Sequence, residues 1–71
     1  MKYTATIRHH SISRAREVEI DGTLAEAKAA AAKEFRDEFL EHEIAVYETP
    51  GDRAPELVST RRVGGSTWND C

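Results

Sequence analysis

At 71 residues, with 39% hydrophobic and 32% charged side chains, the chain has the size and composition of one small globular domain and not of a disordered segment. A formal net charge of −3 at pH 7 excludes a general nucleic-acid coat, which carries a large basic excess. The single cysteine, Cys71, excludes an internal disulfide; with no signal-like start at Met1-Lys2-Tyr3-Thr4 and no apolar run long enough to span a bilayer, the expected location is the cytoplasm.

Tyr3, Ala5 and Ile7 alternate with Thr4, Thr6 and Arg8, the period-two pattern of a half-buried strand over about 2–8. Polar residues at 9–13 interrupt it. Val18 and Ile20 then alternate with Glu17 and Glu19, which predicts a second strand over about 15–20, ended by Asp21-Gly22. The two strands are expected to form a hairpin whose loop falls near residues 10–14.

Thr23-Leu24-Ala25-Glu26 reads as a capping box. In that motif the Thr23 hydroxyl takes an orphan N–H of the first helical turn, and the Glu26 carboxylate reaches back to the Thr23 N–H. Ala27 and the alanines at 29–32 are the strongest helix formers available, and the pattern predicts a helix over about 24–41. At 3.6 residues per turn Leu24, Ala27, Ala31, Phe35 and Phe39 share one stripe, small at its start and aromatic at its end. Alternation returns through Ile44 and Val46 over about 43–48. Pro50, Gly51 and Pro55 mark a turn, and a fourth strand follows over about 57–63, ended by Gly64-Gly65.

The elements run strand, strand, helix, strand, strand. This is an α+β domain, β-β-α-β-β, with a four-stranded antiparallel sheet, the helix on one face and the other face wet. Orders 2-1-3-4 and 1-2-3-4 both satisfy adjacent hairpins and a right-handed crossover. The first is favoured because it centres the two most regular alternations. It also sends the charged strands to the edges, with Arg14, Arg16, Glu17 and Glu19 on one and Arg61 and Arg62 on the other, where charge discourages pairing with other chains.

Catalytic chemistry has no foothold here. His9 and His10 are adjacent, so on a strand they point to opposite faces; His42 and Cys71 lack metal-ligand spacing. Ser11, Ser13, Ser59 and Ser66 have no base and orienting group arranged around them, and Gly64-Gly65-Ser66 opens no phosphate-binding helix. The expectation is a protein that is not an enzyme, with no catalytic residue, metal or cofactor.

The helix flanks carry more information. Glu34, Asp37, Glu38 and Glu41 project along one flank, Lys33 and Arg36 toward the other, and Lys28 borders the buried stripe. Glu34 and Glu38 are like charges at i, i+4, which oppose the helix, so an acidic ridge there points to a basic partner surface. Lys28, Lys33, Glu34, Arg36, Asp37 and Glu38 are therefore the candidate partner-binding residues, against the plain alternative of a solvated mixed-charge face. Arg61 and Arg62 are candidate nucleic-acid contacts, enough for weak, non-specific contact with DNA, against the plain alternative of edge protection. Trp68 reads as a lid folded back on the core in preference to an exposed interface anchor.

The charged strand Glu17-Val18-Glu19-Ile20, the helix opening Thr23-Leu24-Ala25-Glu26-Ala27-Lys28 and the tail Trp68-Asn69-Asp70-Cys71 together resemble small phage anti-CRISPR proteins that inhibit type I surveillance complexes (Cascade). The resemblance implies a compact β-β-α-β-β protein acting in the bacterial host cytoplasm, and a monomer is expected in preference to a dimer. It would dock on the repeated backbone subunits of the complex and occupy the basic groove where target DNA pairs with guide RNA. The hairpin followed by Thr-Leu-x-Glu-Ala is also similar to the antitoxin domain of HicB-type toxin–antitoxin pairs, which would sequester a toxin or another protein. The chain departs from that pattern in lacking the strand and Pro-rich turn before the helix and a DNA-binding tail. A third reading is an accessory domain that dimerises through its edge strands.

Overall fold

The computed structural model describes residues 1–8, 17–38 and 42–70. The expected hairpin loop, His9, His10, Ser11, Ser13, Arg14, Arg16, Phe39, Glu41 and Cys71 lie outside the described residues. Strands β1 (Lys2–Arg8) and β2 (Glu17–Asp21) precede helix α1 (Leu24–Glu34), and strands β3 (Glu43–Glu48), β4 (Glu56–Arg62) and β5 (Asn69–Asp70) follow it. All pairings are antiparallel, in the order β2-β1-β3-β4-β5. The favoured order 2-1-3-4 holds, and the sheet has five strands where four were expected.

Alternation places the core. Tyr3, Ala5 and Ile7 of β1 are buried, and they lie opposite Ile20 and Val18 of β2 and beside Val46 and Ile44 of β3. The helix covers this face of β1, β2 and β3 with the expected stripe: Ala27, Ala31 and Phe35 are fully buried and Leu24 half-buried. Alanine lets the helix axis approach the sheet closely; Phe35 fills the wider space at the far end.

The start of α1 follows the capping box. Glu26 N–H donates to Thr23 Oγ1 at 3.2 Å, and Thr23 N–H donates to Glu26 Oε1 at 3.0 Å. The backbone N–H of Thr23, and then its hydroxyl, hold the Glu26 carboxyl below the usual glutamate range. Gly22 turns the chain from β2 into the cap with φ +148°, a region L side chains rarely adopt, while its N–H donates to Met1 O at 2.9 Å.

The end of α1 differs from the expected 24–41. Phe35 is the C-cap, at φ −103° and ψ 11°, with its N–H donating to Ala31 O at 3.1 Å. Glu38 N–H then donates to Phe35 O at 3.1 Å in the following turn. The early stop leaves the chain room to descend from the helix layer before Glu43 pairs opposite Arg8.

The fifth strand rises from the tail. Asn69 and Asp70 pair with Thr60 and Ser59, so β4 is an inner strand along that stretch and not the edge that was expected. Ser59 is fully buried beneath it, and its hydroxyl donates to Asp70 Oδ1 at 2.7 Å. A bulge between Val46 and Tyr47 leaves Val58 as an extra residue in β4, packed against the core.

Candidate functional site

Adjacent strand residues point to opposite faces, and this separates Arg61 from Arg62. Arg61 lies opposite Ile44 on the helix-covered face, half-buried, with its guanidinium 5.8 Å from the Trp68 ring centroid. Its Nε donates to Gly65 O at 2.8 Å. Trp68 packs against the core, as the lid reading expected. Arg62 is exposed on the open face, opposite Glu43, whose other neighbour in register is Arg8. The expected Arg61–Arg62 contact pair therefore does not form one surface: Arg61 holds the tail and Arg62 remains outside.

Lys28 is likewise occupied. Its Nζ lies 2.7 Å from Asp70 Oδ1, with only a fifth of its side chain exposed, so it ties α1 to β5. The acidic helical ridge expected along Glu34, Asp37 and Glu38 is also not formed, because the helix ends at Glu34 and the three residues are not in helical register.

Four of the six candidate partner-binding residues do come together, in a different arrangement. Lys33 and Glu34 from the last turn of α1, and Arg36 and Asp37 from the turn after it, rim an open groove of about 640 Å³. The opposite wall is Glu19 and Asp21 of β2, and Val18, Ile20 and Ala30 supply the apolar lining. Glu38 is half-buried and does not reach this lining.

Four carboxylates stand against two cationic side chains around the groove, with the Met1 ammonium 3.7 Å from Asp21, so the balance stays acidic. Its volume matches that of small-ligand pockets, but charged side chains form most of its rim where such pockets carry apolar and aromatic walls. The arrangement suits a protein segment better than a cofactor. Among the described residues, no group of three His, Cys, Asp or Glu side chains converges as a metal site. None of the described helices is long and apolar enough to cross a membrane.

The sequence reading missed two contributors. Asp70 anchors the tail, and no periodicity marks a strand of two residues. The edge of β2 forms one wall of the groove; its alternation was legible, but its proximity to the end of α1 was not. Compared with protein-family models, curated proteins and solved structures, the chain gives no match.

Proposed function

We propose that the chain is a stoichiometric protein inhibitor, of the anti-CRISPR kind, that binds the backbone subunits of a type I surveillance complex and blocks guide-directed binding of target DNA. The observation that carries the reading is the acidic groove: Glu19, Asp21, Glu34 and Asp37 converge on one edge of a small domain, a charge pattern complementary to a basic nucleic-acid channel. The resemblance of the strand-to-helix opening and tail supports the choice of partner. The mechanism is steric and electrostatic. Seated in the channel, the domain excludes the DNA phosphates that the channel's cations would otherwise bind. Trp68, Lys28 and Arg61 fasten the tail to the rest of the domain, and we assign recognition to the groove rim.

The test adds the purified protein to type I surveillance complexes before target DNA, with size-exclusion and gel-shift readouts. Co-elution with lost target binding is expected, and Glu34→Lys with Asp37→Lys should weaken both while circular dichroism stays unchanged. Undiminished target binding by every complex tested would remove the reading. A chain that ignored the complexes and co-eluted with a small toxin would instead be of the antitoxin type.

A further inference from the structure

Among the described residues β2 pairs only with β1, which leaves its outer backbone edge open. The groove runs along that edge. Val18 and Ile20 point toward the helix layer while Glu19 and Asp21 point the other way, yet all four line it. A strand's two faces share only its edge, so the space lies where a further strand would lie. The side chains define what such a strand must carry. Glu17, Glu19 and Asp21 are exposed at alternate positions, and Val18 and Ile20 between them are half-buried. Across β1, Lys2 lies in register with Asp21, whose Oδ1 is also 3.7 Å from the Met1 ammonium, whereas Glu19 and Glu17 face only Thr4 and Thr6.

We propose that the β2 edge binds an extended segment of a partner protein by strand addition, the segment alternating basic and apolar residues. Its backbone would complete the ladder of β2. Its basic side chains would oppose Glu17, Glu19 and Asp21, and its apolar ones would fill the groove beside Val18, Ile20 and Ala30. A second copy of this chain is the wrong occupant. Antiparallel β2-on-β2 pairing centred on Glu19 sets Glu19 against Glu19 and Glu17 against Asp21, and like charges directly opposite destabilise a pair. The acidic row thus blocks self-association and selects a basic strand. This inference rests on the proposed function only in that the groove takes a protein segment; it requires no particular complex.

The experiment titrates the full chain, labelled for NMR, with a short capped peptide alternating Lys and Val. Saturable shifts over 17–21 and slowed exchange of the outward amides of Glu17, Glu19 and Asp21 are expected, with affinity about tenfold weaker for Glu17→Lys plus Glu19→Lys. The same peptide N-methylated on alternate amides, and one alternating Glu and Val, should not bind. No saturable binding, shifts that map away from β2, or equal binding of the N-methylated peptide would each overturn strand addition. Because no surveillance complex is present, failure here leaves the inhibitor reading standing, and failure of that reading leaves this result intact.

Discussion

Lys28 Nζ and Asp70 Oδ1 meet at 2.7 Å, joining the middle of α1 to the last strand of the sheet. The same carboxylate oxygen accepts the hydroxyl of buried Ser59 at 2.7 Å. One aspartate thus fastens the tail to both layers, and Trp68, two residues earlier, lies over Arg61.

Asp70 should make that fastening sensitive to acid. The Lys28 ammonium, and after it the Ser59 hydroxyl, hold its carboxyl below the ordinary aspartate value of 3.8. Since the folded value lies below the unfolded one, the contribution is fully present above 3.8 and is lost as pH falls through the folded value. Trp68 fluorescence is expected to report loosening of the tail in that acid range. In Asp70→Asn the looser tail should already be present at neutral pH, with that step missing; a titration matching the parent protein would refute the fastening.

Thr23→Ala removes one half of the capping box and should destabilise the protein by about 1 kcal/mol in chemical denaturation. Gly22→Ala should do more, about 2 kcal/mol, because it forces a Cβ onto a φ of +148° and brings it 2.9 Å from the Glu26 carboxylate that closes the cap. Equal stability of Gly22→Ala and the parent would mean that the turn has another conformation.

Phe35→Ala empties the fully buried end of the helix stripe. The expected loss is about 3–5 kcal/mol, against a total stability of about 4–10 kcal/mol at the per-residue average. Circular dichroism should therefore show a largely unfolded or steeply destabilised variant at room temperature.

Arg61 and Arg62 should behave unlike each other despite being neighbours. Arg61→Ala removes the stacking on Trp68 and the bond to Gly65 O, for about 0.5–1 kcal/mol from the cation–π contact, with a red-shifted Trp68 emission. Arg62→Ala, on the open face, should leave stability and emission unchanged. Equal responses would contradict the placement of Arg61 on the helix-covered face.

Local chemistry was enough to specify much of this protein. The alternation of Tyr3, Ala5 and Ile7 and of Ile44 and Val46 marks the two central strands, and the placement of charge put them in the middle of the sheet. Thr23 and Glu26 set the start of α1, since a capping box is satisfied within four consecutive residues. Its end could not be read the same way. The sequence from Phe35 to Glu38 has no Gly or Pro to stop a helix, yet the helix ends at Glu34 with Phe35 as its C-cap. The fifth strand, the split between Arg61 and Arg62 and the groove beside β2 depend on residues far apart in the chain. Asp70 finds Lys28 and Ser59, and the turn after α1 comes to lie over the edge of β2, only once the sheet has formed. Periodicity fixes which way a side chain points; what it meets there is a property of chain length and layer geometry, which only the tertiary structure decides.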